Sequence, residues 1–379
     1  MKNYFPDKDI HREIREQPDF AILFSVLILA GFGLVMVFSA SYILALEERG
    51  DAFFFLRRQV FWLLLGLVGM LAAANFPYYK WRRLIPLILA ANFLMLGALF
   101  IPGLGVELGG ATRWIGLGGF TVQPSEFSKL AMIIFTAWFL SKKNINMQNF
   151  WQSSFFPMIV MGASFLLIFA QPDLGTAIAL ALMTGVVIIV AGIPKGQLAL
   201  LALLSLPPLS YMTLSEDYRM LRILSFRDPW ADPFGSGYQI IQSFFALAPG
   251  GLFGVGLGRS IQKLYYLPEP HNDFIFAIIG EELGFLGALT VMCVFGVLIW
   301  RGFNTAIMAP DAFGSLLAAG LTGIVAVQAL INIGVVTGSV PVTGINLPFI
   351  SAGGSSLFFK MFAMGILMEI SRYRRGKGI

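Results

Sequence analysis

Charge is what this sequence has least of. Over 379 residues only 12% are Asp, Glu, Lys or Arg, while 57% are hydrophobic. A soluble globular chain carries about 25% charged residues, so a fully water-covered fold of this size is excluded. Cysteine is nearly absent: Cys293 stands alone inside an apolar run, which excludes disulfides and thiolate metal sites. The two histidines, His11 and His271, are too few for a histidine-rich zinc site. No basic stripe with interleaved aromatics appears, so the net charge of +5 calls for anionic lipid headgroups and no nucleic acid. No cleavable signal pattern precedes the first apolar run, and there is no strong internal repeat.

Long apolar runs are what the chain has in quantity. A bilayer crossing takes ~20 apolar residues. About ten such runs are expected as spans: 20–45, 59–76, 84–102, 125–141, 154–170, 174–192, 197–214, 274–300, 312–338 and 354–370. The seventh is the weakest, because Pro207-Pro208 sits inside it. Backbone polar groups cannot stay unpaired in lipid, and the runs are too long for barrel strands. The expected fold class is therefore an all-α polytopic membrane protein. The larger share of Lys and Arg, including Lys80, Arg82, Arg83, Lys142, Lys143 and Arg301, falls on segments sharing a side with the N-terminus, which places both termini in the cytoplasm. The expected organisation is a cytoplasmic tail at 1–18, one transmembrane domain at 19–371 and a cytoplasmic tail at 372–379. A large extracytoplasmic loop, 215–273, joins the seventh and eighth spans.

Under this topology the polar, Gly-rich and Pro-rich segments gather outside, at 46–58, 103–124, 171–173, 215–273 and 339–353. The most informative of them ends in Asp273, a carboxylate at the mouth of the run starting at Phe274. Charge at that position is costly, and its default reading is functional. Arg113 beside Trp114 suits an anionic amphipathic substrate, or equally an interfacial Trp with an Arg on headgroup phosphate. Pro124-Ser125-Glu126 reads as a helix start. Lys129, one turn further, either snorkels to the interface or meets a phosphate in a polar cavity. Asp173 suits the cap of the following helix. Tyr218 to Leu224 has amphipathic content and reads as a membrane-surface segment. Gly250 to Gly258 is a weak match to a dinucleotide fingerprint, since no strand precedes it, and reads better as flexible backbone near a lipid or partner. Glu281 and Glu282 lie inside a span and need a cavity or a cation; Gln328 and Asn332 close the ninth span, and a re-entrant-looking segment from Val340 to Ser356 follows.

Several of these stretches together resemble the SEDS (shape, elongation, division, sporulation) family of peptidoglycan polymerases. They are Ala111-Thr-Arg-Trp-Ile115, Gln123-Pro-Ser-Glu126 with Lys129, Gln171-Pro-Asp-Leu-Gly-Thr176, Asp232-Pro-Phe-Gly-Ser-Gly-Tyr-Gln239, Leu267-Pro-Glu269 through Asp273-Phe-Ile-Phe276, Gly280-Glu-Glu-Leu-Gly284, and Pro341 to Gly344 with Leu347-Pro-Phe349 and Gly353-Gly-Ser-Ser356. The resemblance runs from the first span to the tenth and is nearer the division branch than the elongation branch. Asn272, where the family often has Thr, and Ala352, where Tyr is common, depart from its pattern.

The resemblance implies the SEDS fold and polymerisation of lipid II, a polyprenyl-pyrophosphate disaccharide-pentapeptide, on the outer face of the cytoplasmic membrane. An acceptor 4-hydroxyl attacks the anomeric carbon with inversion and polyprenyl pyrophosphate leaves. By analogy with inverting glycosidases a carboxylate serves as base, and Asp273 stands at the matching position. Arg113, Trp114, Lys129, Glu269 and His271 are the expected substrate or pyrophosphate residues, with Arg222 and Arg259 as further cations. Asp173, Glu281, Glu282, Asn332 and Ser355 are expected as polar groups of the cavity. A divalent cation, Mg²⁺ or Mn²⁺, is the one cofactor expected, with its ligands unassigned. The implied partners are a class B penicillin-binding protein and other membrane proteins of the division or elongation machinery. Two rival functions remain at this point: a lipid II flippase, and a scaffold without catalysis.

Overall fold

The structure is a computed structural model that describes residues 16–108, 110–117 and 120–373. Apart from residues 16–18 and 372–373, the two expected tails lie outside the described residues. The described chain is mostly helical, and each apolar run becomes a helix. These are α1 (Phe20–Arg49), α2 (Phe54–Asn75), α3 (Trp81–Ala98), α4 (Pro124–Leu140), α5 (Phe156–Phe169), α6 (Leu174–Val190) and α7 (Lys195–Leu214), followed after two shorter helices by α10 (Ile275–Met308), α11 (Ala312–Val336) and α12 (Gly354–Ser371). Eight helical stretches are long and apolar enough to cross a membrane; α4 and α6, at 17 residues each, fall just short of that length.

Helix ends follow local chemistry. Asp19 Oδ1 accepts the Ala21 N–H at 3.0 Å to start α1, and Gly50, at φ 68°, ends it. Asp173 and Asp311 cap α6 and α11 by accepting from Thr176 N at 3.1 Å and Gly314 N at 3.1 Å. The most extensive packing is between α2 and α12, with α11 at the centre of the bundle against α4, α6 and α10. α7 keeps its helix despite Pro207-Pro208 but has no buried residue and packs mainly on α8 (Asp217–Arg227). The run expected to be the weakest span is thus the one held at the periphery. At the end of the bundle where the described chain begins and ends, Asp19 binds Arg301 at 2.7 Å, and Asp311 binds Arg82 and, at 2.9 Å, the Tyr78 hydroxyl.

Two features lie outside the expected all-α scheme. Between α3 and α4 the chain forms an antiparallel three-stranded sheet of β1 (Gly105–Leu108), β2 (Ala111–Leu117) and β3 (Phe120–Val122), in the order β1-β2-β3. The second feature is a segment that folds back into the bundle. α9 (Tyr238–Gly250) packs against α10, and Ser243 Oγ donates to Val336 O at 2.7 Å. Its end is so close to α10 that a Cβ on Gly250 would lie 2.0 Å from Gly280 O. The following loop enters a break in α10 at Gly284, where φ is 68° and ψ −167°. There Val255 and Gly256 N–H donate to Glu281 and Glu282 O, both at 3.0 Å, while Phe285 and Leu286 N–H donate to Gly251 O at 2.8 Å and Leu252 O at 3.1 Å. The loop replaces the missing helical bonds, which is how irregular backbone survives inside a membrane protein. The Gly250–Gly258 stretch is therefore fixed backbone filling a helix break, a correction to the expectation of flexible chain.

Candidate active site

Asp273 stands two residues before α10, partly buried. Its position is set through the backbone. Asn332, from α11, donates its side-chain N–H groups to Asp273 O at 2.7 Å and Ile345 O at 2.8 Å. Ser351 Oγ donates to Asn272 O at 2.7 Å and accepts from Leu347 N at 2.8 Å, and Ala352 N donates to His271 O at 2.9 Å. The segment 271–273 is thus clamped to the loop 340–353. Both positions that depart from the family pattern, Asn272 and Ala352, join this clamp through backbone atoms, so the clamp survives either side-chain change. The same loop touches the start of α6: a Cβ on Gly175 would lie 2.4 Å from Thr343 O. Gly344, at φ 70°, passes directly by the carboxylate, where a Cβ would come within 3.3 Å of Asp273 Oδ2.

Four charged groups act electrostatically on the Asp273 carboxyl. Burial, together with the negative charges of Glu269 and Asp173, pushes its pKa up to about 6, against the opposing pull of Arg222 and Arg113. Arg113, from β2, donates from Nε to Gln171 O at 3.2 Å and from Nη2 to Pro172 O, with Nε 3.8 Å from Asp173 Oδ2. Arg222, from α8, reaches Val342 O at 3.5 Å. Arg222, ranked behind Arg113 in the sequence, is the larger positive influence on Asp273. Glu269 is 62% exposed and accepts from Asn272 Nδ2 at 2.6 Å; its backbone sits at φ 50°, a strained conformation for a residue with a Cβ.

Other expected site residues are placed elsewhere. Trp114 is adjacent to Arg113 in a strand, and consecutive strand side chains point to opposite faces. The two therefore do not share a face. His271 is 4% exposed, its ring tilted against that of Phe55 at 4.5 Å between centroids. Burial, outweighing the charge of Glu269, holds its pKa below the usual imidazole value. Lys129 is bound to Glu126 at 2.7 Å and belongs to a separate group with Lys360. Ser355 Oγ accepts the Gln123 N–H at 3.0 Å, tying the starts of α4 and α12. Arg259 is exposed.

Glu281 and Glu282, at 1% and 0% exposure, face protein rather than a cavity. Lys263 Nζ lies 2.8 Å from Glu282 Oε1, and Ser39 Oγ of α1 donates to the Glu282 carboxylate at 2.7 Å. Ser260 Oγ and Ile261 N donate to Glu281 at 2.5 and 2.8 Å. This cluster ties the loop between α9 and α10, through Ser260, Ile261 and Lys263, to α1 and α10. Lys263 and Ser39 were not singled out in the sequence; the signal available was a lysine needed by two intramembrane carboxylates.

Comparison with known proteins agrees with this architecture. The family model described as "Cell cycle protein", that of FtsW, RodA and SpoVE, matches residues 20–376. Stage V sporulation protein E of Bacillus subtilis is 46% identical over 362 residues, covering 95% of this chain and 99% of that protein. A probable peptidoglycan glycosyltransferase FtsW of Geobacter sulfurreducens is 41% identical over 363 residues, covering 95% and 97%. Among solved structures, a chain of a peptidoglycan synthase complex that coordinates polymerization and crosslinking superposes with a TM-score of 0.78 at 29% identity, covering 94% of this chain and 98% of that one. The rod shape determining protein RodA of Thermus thermophilus gives a TM-score of 0.70 at 26% identity, covering 94% and 97%. The chain is a multi-pass membrane protein and belongs to the FtsW/RodA/SpoVE family of cell cycle proteins.

Proposed function

We propose that this chain is a peptidoglycan glycosyltransferase that polymerises lipid II on the outer face of the cytoplasmic membrane, with both termini inside. The observation that carries the reading is Asp273: a carboxylate at the mouth of a membrane helix, its pKa raised to about 6 and under the opposing influence of Arg222 and Arg113. A base with that pKa is ionised at neutral pH yet still accepts a proton readily. Asp273 takes the proton of the acceptor 4-hydroxyl as its oxygen attacks the anomeric carbon from the face opposite the leaving group. The bond to polyprenyl pyrophosphate breaks, and Arg113 and Arg222 face the charge that departs. Pyrophosphate leaves as a stable anion, so no strong general acid is required.

A divalent cation, Mg²⁺ or Mn²⁺, fits only as a companion of the substrate. Among the described residues no group of three or more His, Cys, Asp and Glu side chains is arranged to hold a metal ion. Magnesium is commonly held by one or two carboxylates plus phosphate oxygens, a role open to Asp173 or Glu269. Bound there, it would neutralise the developing pyrophosphate charge.

The structural likeness to a chain of a peptidoglycan synthase complex supports a class B penicillin-binding protein as partner, alongside other membrane proteins of division or elongation. Relatives named for division and for sporulation both cover nearly the whole chain, and septal synthesis is the role they share in this reading. The test is purified chain with its class B partner, lipid II and Mg²⁺ or Mn²⁺, read as glycan strands on a gel. Strands are expected. Their absence from a folded complex that moves lipid II across vesicles would favour a flippase; absence of both activities would favour a scaffold.

A further inference from the structure

The outer end of α2 bonds to both halves of the candidate site. Phe55, Gln59 and Trp62 recur at helical spacing and so share one face. The Phe55 ring lies against that of His271, and Trp62 leaves no room for a Cβ at Gly354. Between them Gln59 is 3% exposed. Its Nε2 donates to Ser351 O at 3.2 Å, and its Oε1 accepts the Gly353 N–H at 3.4 Å. This stretch is the one that holds the base segment: Ser351 Oγ donates to Asn272 O at 2.7 Å and Ala352 N to His271 O at 2.9 Å. A buried amide paired at both ends fixes where residues 351–353 sit, because leaving either end unpaired is costly. The adjacent side chain serves the other half. Arg58 Nη2 donates to Thr121 Oγ1 of β3 at 2.7 Å. β3 pairs with β2, Thr121 standing opposite Gly116 on the strand that carries Arg113. Asn332 bonds the base side, and Gln171 and Pro172 bond Arg113; one turn of α2 bonds both sides.

We propose that Gln59 and Arg58 are positioning residues, through which α2 sets the separation between the base Asp273 and the cation Arg113. The inference rests on the polymerase reading and deepens it. In an inverting transfer the base works on one side of the anomeric carbon and the cation on the other, where the pyrophosphate departs. The two must therefore keep a fixed separation, and a displacement of about 1 Å can cost about 10²-fold in rate. Asp273 and Arg113 come from segments far apart in the chain, so their separation is fixed only by an element bonded to both. Gln59 and Arg58 act through the loop and the sheet, without touching substrate.

The test measures kcat and KM for lipid II on the purified full-length protein with its class B partner. Gln59→Met and Thr121→Val should each lower kcat by about 10–10²-fold with little change in KM. The double variant should lose little more than either single one, since base and cation have one separation to lose, whereas independent structural supports would add. Arg58→Met should match Thr121→Val. A raised KM in Arg58→Met beside an unaffected Thr121→Val would make Arg58 a substrate contact and overturn the inference. Thr121, partly exposed in a strand, carries the test if Gln59→Met fails to fold. Melting curves across pH 4.5–8 give a readout independent of turnover. The loss of stability that Asp273 causes near pH 6 should move to lower pH in Gln59→Met, because a loosened clamp admits water to the carboxyl. Unchanged kcat and an unchanged pH midpoint in the folded variants, beside strands from wild type, would discard the positioning role and keep the polymerase. The shifted midpoint without strands from any sample, wild type included, would keep the tie from α2 to Asp273 and discard the polymerase.

Discussion

Above pH 6 the Asp273 carboxylate is ionised beside Glu269 and Asp173 in a partly buried position, and two opposite consequences follow. Its pKa is raised to about 6 from an ordinary 3.8, so between these values the folded protein holds a proton that the unfolded chain releases. The stability from this group is fully present below about pH 4 and is lost as pH rises through 6. Activity runs the other way, because the base must be unprotonated: turnover should fall as pH drops through about 6. Melting curves and strand-formation rates across pH 4.5–8 check both signs, and Asp273→Asn should flatten this part of the stability profile. A neighbour gives a second prediction. Asn332→Leu removes the donors to Asp273 O and Ile345 O, at a cost of about 1–3 kcal/mol for each buried acceptor left unpaired. Because the lost bonds place the base rather than the substrate, kcat should fall more than substrate affinity. An equal change in both would mean that Asn332 is only a structural support. Asp273 was legible in the sequence because a carboxylate opening an apolar run has few structural excuses. Its partnership with Arg222 was not, since it depends on how α8 lies against the loop 340–353. The Glu126–Lys129 pair was visible as an i, i+3 spacing, whereas Lys360 joins it only through the packing of α4 and α12.

Helices of about 20 apolar residues announce themselves, and all ten expected spans are present as helices. What the sequence hid were elements defined by partners far along the chain. β1 to β3 are three to seven residues long, too short for periodicity to report. α9 reads as part of a polar loop, and its glycines make sense only beside the break in α10. That unit supplies a prediction at its own scale. Lys263→Met leaves Glu281 and Glu282 buried without their cation, and breaking a buried pair costs about 3–5 kcal/mol. Adding Glu282→Met should restore much of the melting temperature, since an apolar pair often replaces a buried ion pair without loss. If Lys263→Met alone melts like wild type, the cluster is not what holds the loop between α9 and α10 in place.

The whole molecule divides into an end with the described chain termini and an end with the long loop, and the proposed function needs the loop end outside. In a Cys293→Ala background, Phe234→Cys places a thiol on a side chain that is 93% exposed. A membrane-impermeant maleimide should label it in intact cells, while Asn144→Cys, between α4 and α5, should react only after permeabilisation. The reverse pattern would put Asp273 on the wrong side for extracellular glycan synthesis. The central claim is that this bundle polymerises lipid II with Asp273 as its base, and the most direct measurement compares wild type with Asp273→Asn. Each is purified with the class B partner and supplied with lipid II and a divalent cation at pH 7.5. The account predicts long glycan strands from wild type and a rate lower by about 10²–10⁴-fold from the variant; equal strand formation by the two folded proteins would contradict it.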